Sequence, residues 1–371
     1  MKHGIIQLGL PLAGALIGIL TMGTGCGGSD DGGSSSAGSA GSTGCADCRT
    51  PPPPPEDGVL GDGPGTVFTI TNLYLGDKLR DGSKDPNAWK QFGYDLDGIK
   101  STKETTNHCQ PVEGATDASV KTDGEGGIDN SFGANLLPIL EGYVPDLAAL
   151  NESMVEGKYA ILLEVEDLGG GKDYLGLPAA MYFGRDLGAP PAWDGSDVWP
   201  LYCELLDDCQ PSGTKQLADG NESVVRFPWS YVANGTWVSG SETTASISLN
   251  LQGIPIRLDI GQAIMAFDLD GASPPTGGTN GVIAGIIGTT HLIGTLAQLA
   301  GRLSSSLCDP ATLESIKRSL KAASDIMVDG TQDPNAACDG ISVGFGFEMK
   351  SAQLGEVQNA QELKPDPCEE P

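Results

Sequence analysis

The chain has 371 residues, with 49 Asp or Glu against 21 Lys or Arg, so its formal net charge at pH 7 is −28. An acidic surface repels phosphate backbones, which argues against nucleic acid as a partner, and it disfavours adsorption to anionic lipid. The same charge attracts cations and also keeps an exported protein dispersed. Both a cation site and plain solubility therefore agree with the composition.

The N-terminus has the three zones of a secretory signal peptide. A basic start at Lys2 precedes an apolar core over residues 5–22, and residues 23–26 read Gly-Thr-Gly-Cys. These four residues resemble the lipobox of bacterial lipoproteins, although that family usually has Leu, Val or Ile at the first position. The resemblance implies removal of residues 1–25, acylation of Cys26, and attachment to the cell envelope. The glycine that follows implies an outer-membrane lipoprotein facing the periplasm or the cell surface. An uncleaved anchor and an ordinary exported cysteine are the alternatives.

Nine cysteines are present, and eight remain if Cys26 carries lipid. An even number in an exported chain predicts disulfides, although sequence alone does not fix their connectivity. Short loops favour the pairs Cys203–Cys209 and Cys308–Cys338, each contributing roughly 2–4 kcal/mol to stability.

Composition divides the chain into a tether, one domain and a tail. Residues 26–65 are rich in Gly and Ser and contain a run of prolines, which predicts a flexible tether. The C-x-x-C pair Cys45 and Cys48 lies there, which favours a small surface loop or an intermolecular bridge over a redox motif. Residues 66–357 have no comparable break and are predicted to form a single β-rich domain, followed by an acidic tail over 358–371.

Period-two alternation of apolar residues is the main secondary-structure signal. It runs over 246–251 and 254–260 on both sides of Gln252-Gly253, which predicts a β-hairpin, and again over 341–349. Six further apolar segments read as strands: 67–74, 159–165, 179–183, 224–232, 263–267 and 281–286.

Residues 289–327 depart from this pattern, because Leu recurs there at helical spacings of four and three. Asp309 followed by Pro310 predicts the capped start of a second helix. We therefore predict a mainly β fold, an antiparallel β-sandwich or jelly-roll-like domain with a two-helix insertion near the C-terminus.

Two glycine-bent loops are dense in oxygen ligands, which calcium prefers in sets of about six to eight. The candidate calcium ligands are Asp95, Asp97, Asp123, Asp129 and Asn130. The Asp-Leu-Asp-Gly pattern at Asp95 recurs at Asp268 and Asp270. Asp-Gly is also the favoured dipeptide of tight hairpin turns, so turns without an ion are the alternative interpretation.

Four tryptophans between residues 193 and 237 are candidates for ligand binding, because exposed aromatic rings stack on sugars and anchor partners. They are Trp193, Trp199, Trp229 and Trp237. Packing of these rings in the core or at sheet edges is the alternative.

Catalytic motifs are weak. Residues 340–344 fit G-x-S-x-G, but they alternate as a strand and no His follows them, which argues against a serine hydrolase. A carboxylate pair of the glycosidase kind stays open, because only separation in space decides it. Segments 126–133 and 338–344 resemble uncharacterised lipoproteins of myxobacterial type, which implies no activity.

We therefore expect a lipid-anchored cell-envelope protein with a non-enzymatic, ligand-binding or adhesion-type domain. Its partners would be the membrane and a glycan or envelope protein. A calcium-stabilised structural envelope protein and a carbohydrate-active hydrolase are the alternatives.

Overall fold

The computed structural model describes residues 47–110, 120–143, 149–203, 206, 223–240, 243–251, 254–358 and 366–369. These residues belong to one compact unit, Ser42–Pro371. The predicted signal peptide, Cys26, Cys45 and Cys209 lie outside the described residues, whereas Cys203 is described and is disulfide-bonded. Within the described ranges, no helix has the length and apolar character needed to span a bilayer.

β-strands dominate the described structure, which confirms the mainly β prediction. The strands are β1 (Val59–Leu60), β2 (Thr66–Tyr74), β3 (Ala160–Val165), β4 (Tyr174–Gly184), β5 (Val198–Tyr202), β6 (Arg226–Ala233), β7 (Thr236–Val238), β8 (Thr243–Leu251), β9 (Ile254–Leu269), β10 (Gly277–Gly288) and β11 (Gly340–Gln358). The helices are α1 (Leu137–Tyr143), α2 (Ala149–Val155), α3 (Thr289–Leu303) and α4 (Pro310–Ala322).

The strands form one mixed sheet whose path closes on itself. The order is β4-β3-β2-β11-β10-β9-β7-β6, and β6 pairs back onto β4. The predicted hairpin is β8 paired with β9, with Leu251 opposite Ile254. β1 runs parallel to β4, and β5 runs parallel to β11. The prediction was an antiparallel sheet. The observed sheet departs from it at these two short strands, which pair in parallel.

Side chains from opposite parts of the closed sheet meet in one core. Phe68 of β2 and Phe267 of β9 are on strands that are not neighbours, yet their ring centroids lie 5.4 Å apart. Trp237 and Phe347 also pack on Phe267, at 5.3 and 6.0 Å. All four rings are buried, and burial of one such side chain stabilises the fold by about 1.5–3 kcal/mol. This face-to-face packing is consistent with a β-sandwich.

Helices α3 and α4 form the predicted insertion. Leu296 of α3 and Ile316 of α4 are buried in the main core. The Asp309 carboxylate accepts a hydrogen bond from the Thr312 backbone N–H at 2.9 Å, and Pro310 begins α4, as predicted. Helices α1 and α2 were not predicted, because at seven residues each they are too short for an amphipathic period to show.

The described disulfides differ from the predicted ones. Cys109 is bonded to Cys338, and Cys308 is bonded to Cys368, so the predicted Cys308–Cys338 bridge is wrong. Short separation favoured that pair, but the fold places the Cys109 segment beside the start of β11. There the Cys338 N–H donates to the Gln110 carbonyl at 2.7 Å. The second bridge ties the C-terminal tail to the start of α4.

The N-terminal segment docks on the domain well before the predicted end of the tether. The Arg49 N–H donates to the Gly126 carbonyl at 2.8 Å, and the Arg49 carbonyl accepts from the Asp95 N–H at 2.9 Å. The Tyr231 hydroxyl donates to the Pro52 carbonyl at 2.6 Å, and β1 follows. Proline has no backbone N–H, so its carbonyl is the main-chain group that can hold this run.

Candidate cation site

The first loop of the candidate site is the Asp-Leu-Asp-Gly turn after Tyr94, whose ring is buried with residues of β6, β9 and β10. Asp95 Oδ1 accepts from the Gly98 N–H at 2.8 Å, and Asp97 Oδ1 accepts from the Ile99 N–H at 2.7 Å. Gly98 has φ 75°, a conformation that costs glycine little. The turn therefore uses one oxygen of each carboxylate and leaves the other for contacts outside the turn.

The second loop leads to Asp129 and packs against the first. Gly126 and Gly127 have φ values of 64° and 76°, which lets the backbone bend sharply before Asp129. The Asp129 N–H donates to the Tyr94 carbonyl at 3.0 Å. Asp129 Oδ2 accepts from the Leu96 N–H at 2.7 Å. The two loops are thus joined through main-chain groups on both sides of Asp129.

Three carboxylates converge where the loops meet. One oxygen from each of Asp95, Asp97 and Asp129 lies within 4.8 Å of the others. Asp129 is only 3% exposed, and the other two are partly buried. Asp123 accepts a hydrogen bond from the Ser101 N–H and contacts Asp129. Four of the five residues predicted as calcium ligands therefore lie together.

Burial controls the ionisation of this cluster. The pKa of Asp95 is raised to about 6 and that of Asp123 to about 8, mainly by desolvation and in addition by the charge of Asp97. Burial also raises the pKa of Asp97, and it raises the pKa of Asp129 well above its ordinary value. These carboxylates therefore bind protons more readily than separate surface carboxylates do.

Asp325, in the connection between α4 and β11, is a fifth member that sequence analysis missed. Its Oδ1 accepts from the Ser342 N–H at 2.8 Å. Burial raises its pKa to about 7, with the charge of Asp97 also raising it and that of Lys121 lowering it. Burial in turn lowers the pKa of Lys121. An Asp-Gly turn at Asp329 and Gly330 follows Asp325, but nothing in the sequence places this connection beside the first loop, so only the tertiary structure reveals its place.

The donor chemistry of the cluster fits a hard cation. All five carboxylates offer oxygen, which calcium prefers, whereas zinc sites in proteins are usually built from Cys and His. Neighbouring carboxylates raise each other's pKa, and a divalent cation would remove that repulsion. The arrangement can therefore hold calcium, with Asp95, Asp97 and Asp129 as its most closely grouped ligands.

Asn130, the fifth predicted ligand, is used elsewhere. Its Nδ2 donates to the carbonyls of Trp89, Phe92 and Gly344 at 3.2, 3.1 and 2.9 Å. Its Oδ1 accepts from the N–H groups of Gly133 and Gly344 at 3.0 and 3.1 Å. Both ends of the amide are thus engaged with main chain, so Asn130 fixes β11 against the neighbouring loops and is not available to a cation.

The four predicted ligand-binding tryptophans separate into different environments. Trp199 and Trp237 are fully buried, so they are core residues and the binding role predicted for them is wrong. Trp193 is partly buried against residues of β4 and β5. Trp229 is 80% exposed. Sequence clustering alone could not separate these rings, because adjacent strand positions point to opposite faces of a sheet.

Ser342 does not have the environment of a nucleophile. It is fully buried in β11 and its hydroxyl donates to Asp325 Oδ2. His291 lies 3.3 Å from the Asp259 carboxylate, and His108 is buried beside the Cys109 bridge. These positions agree with the interpretation of residues 340–344 as a strand rather than a nucleophile elbow.

Comparisons of this chain with protein families, with curated proteins and with solved structures find no match.

Proposed function

We propose that this chain is an exported, membrane-anchored protein of the cell envelope. Its non-enzymatic β-rich domain is stabilised by a calcium ion bound among Asp95, Asp97 and Asp129. The observation that carries the calcium assignment is the convergence of these three carboxylates, from two separate loops, within 4.8 Å of one another. Asp123 and Asp325 add charge beside the ion.

Calcium is favoured over other divalent cations by the donors and by the proposed location. Magnesium demands near-ideal octahedral geometry and retains its water, whereas calcium accepts irregular sets of carboxylate and carbonyl oxygens. Extracellular calcium modules typically bind at about 10⁻⁴–10⁻³ M. The Cys109–Cys338 and Cys308–Cys368 bridges support export, because disulfides persist in oxidising compartments.

The ion would connect parts of the domain that are distant in sequence. Asp95 and Asp97 belong to the first loop, Asp129 to the second, and Asp325 to the connection before β11. The same two loops hold the N-terminal segment through Arg49. Bound calcium would therefore stabilise both the domain and the docking of the segment that leads to the proposed anchor.

The carbohydrate-active hydrolase has less support. A glycosidase pair must face a cleft that admits a sugar, with the two carboxyl groups about 5–10 Å apart. Asp129 is 3% exposed, and one oxygen each of Asp95 and Asp97 is taken by the loop backbone. These carboxylates fit the enclosed ligand set of an ion better than the open site of a hydrolase.

The direct test is thermal unfolding of the purified full chain in chelator, in magnesium and in calcium, combined with metal analysis after dialysis. A ligand that binds only the folded state stabilises it by about 2.7 kcal/mol at 100 times its Kd. We expect one calcium per chain and a midpoint several degrees higher in calcium than in chelator, with a smaller rise in magnesium. Coincident curves in calcium and chelator, with no retained calcium, would overturn the calcium assignment.

A further inference from the structure

An exposed apolar surface lies where β1, β4 and β6 run side by side. We call it the Trp229 surface and define it by Leu60, Leu175, Pro178, Pro228 and Trp229. Trp229 is 80% exposed, Leu60 73% and Leu175 47%, while both prolines are exposed as well. Soluble domains rarely group large apolar side chains in this way unless something covers them.

The strand register brings these residues together on the outside of the sheet. Leu177 of β4 pairs with Ser230 of β6, and Ala179 pairs with Phe227. Pro178 alone is therefore opposite both Pro228 and Trp229, which is the geometry of a β-bulge. The flanking Phe227 and Leu177 are fully buried. The bulge thus turns Trp229 away from the core, toward solvent.

Leu60 and Leu175 extend the same surface. Leu60 pairs with Gly176 of β4, next to Leu175. On β4, Leu175 lies between Tyr174 and Leu177, which pair with Val232 and Ser230 of β6. Leu175 is therefore close to Tyr231, which lies between those two partners. The proline run passes beside it, because the Pro52 carbonyl accepts from the Tyr231 hydroxyl.

We infer that the Trp229 surface lies on the lipid bilayer to which the N-terminus of the chain is attached. This inference rests on the membrane anchoring contained in the proposed function. The chain between Cys26 and Asp47 cannot extend beyond roughly 70 Å, so the anchor keeps the domain close to the bilayer. The docked segment Arg49–Pro55 then leads directly to β1 and to this surface. Attachment supplies a high local concentration, so a modest apolar contact suffices.

The chemistry of the surface favours lipid over sugar. Trp is enriched at the membrane–water interface, and aliphatic side chains such as Leu60 and Leu175 gain free energy by entering the acyl boundary. A sugar platform would need hydrogen-bonding side chains around the ring, whereas the neighbours that define this surface are Leu and Pro. The net charge of −28 makes a zwitterionic bilayer the expected partner.

The test uses the full chain on phosphatidylcholine vesicles, with and without bromine on the acyl chains to quench nearby Trp fluorescence. We compare the wild type with Trp229→Phe, and use Trp193→Phe as the matched control. Flotation with the vesicles reports anchoring independently of quenching. We expect all three chains to float, brominated lipid to quench the wild type and Trp193→Phe, and Trp229→Phe to lose most of that quenching.

The outcomes separate the inference from the proposed function. Flotation with equal quenching in the wild type and Trp229→Phe, or with no quenching, overturns the inference and leaves the anchor intact. Failure of the wild type to float overturns both. A Trp229-dependent fluorescence shift with soluble oligosaccharide, without quenching by brominated lipid, overturns the membrane assignment in favour of a glycan. Circular dichroism of each variant establishes that the fold is kept.

Discussion

The two Asp-Leu-Asp-Gly loops share a tetrapeptide but differ in what their carboxylates do. Asp95 lies in a partly buried place beside other carboxylates, and burial raises its pKa to about 6. Asp270 lies at an exposed strand end, where its carboxylate accepts from the Ala272 N–H at 3.0 Å and the Thr276 hydroxyl at 2.6 Å. Partial burial raises the pKa of Asp270, but these hydrogen bonds lower it overall.

Asp268, the other acidic residue of the loop that contains Asp270, also accepts hydrogen bonds through its carboxylate. Asp268 accepts from the Thr236 hydroxyl at 2.7 Å and from the Asn280 amide at 3.0 Å. This loop lines a cleft of 310 Å³ together with Lys172 and Asn234. Both loops supply hydrogen bonds to their carboxylates, so these bonds alone do not distinguish them. The difference is that Asp95 and Asp97 are partly buried beside other carboxylates, which raises their pKa values.

Of the changes proposed here, removing the Cys109–Cys338 bridge should lower the stability of the domain most. Loss of a native disulfide typically costs about 2–5 kcal/mol. The Cys109 N–H donates to Gln332 Oε1 at 2.8 Å, and Gln332 Nε2 donates to Asp97 Oδ2 at 2.6 Å. We therefore expect the Cys109→Ser, Cys338→Ser double variant to lose stability in urea and also to lose part of its stabilisation by calcium.

The matched control is the Cys308→Ser, Cys368→Ser double variant, which breaks the bridge at the start of α4. It should lose stability while keeping the full calcium increment. If the increment were the same in both double variants, the first loop would hold its carboxylates without support from the Cys109 segment.

Substitution of one central carboxylate should remove the calcium increment itself, about 2.7 kcal/mol at 100 times the Kd. Asp129→Asn keeps the size of the side chain and an oxygen for the Leu96 N–H but removes a charge from the cluster. Asp268→Asn is the control, because it makes the same change in the Asp-Leu-Asp-Gly loop that lies outside the cluster. We expect calcium to shift the urea midpoint of Asp268→Asn as in the wild type and to leave that of Asp129→Asn unmoved. Equal loss in both variants would mean that the calcium increment does not arise from the cluster around Asp129.

Most long strands, the two long helices and four of the five acidic residues were predictable because their signals are local. Alternation marked the β8–β9 hairpin and β11, the leucine stripe marked α3, and the glycine-bent loops marked Asp95 and Asp129. The rest depended on tertiary placement. Asp325 lies in a connection that meets the first loop only in the folded structure, and Asn130 is next to Asp129 but turns its amide to the main chain.

Two other errors have the same physical origin. The proline run looked like part of a free tether, because nothing local shows that Tyr231 holds a Pro52 carbonyl. Trp229 and Trp237 lie on adjacent strands, and only the bulge opposite Pro178 shows why one is exposed and the other fully buried. Both depend on which strand face meets which partner, and sequence alone does not give that pairing.

The smallest expected effect is the pH dependence of stability in chelator, and its sign follows from the buried cluster. The folded-state pKa values of Asp95, Asp325 and Asp123 are about 6, 7 and 8, against about 3.9 for an unperturbed Asp. Between pH about 4 and 8 the folded state therefore binds more protons than the unfolded state. Stability is highest near pH 4 for these groups and falls as pH rises through the folded-state values.

Thermal unfolding in chelator should thus give a lower midpoint at pH 8 than at pH 5. Saturating calcium should remove most of this dependence of the midpoint on pH, because the ion compensates the charge of the ionised carboxylates. Asp325→Asn should flatten the slope in chelator, since one raised group is gone. Asp270→Asn should not flatten it, because the pKa of Asp270 is lowered and its contribution disappears only in acid. A midpoint in chelator that rises from pH 5 to pH 8 would mean that the pKa values of the clustered carboxylates are not raised, and that these groups resemble Asp270 instead.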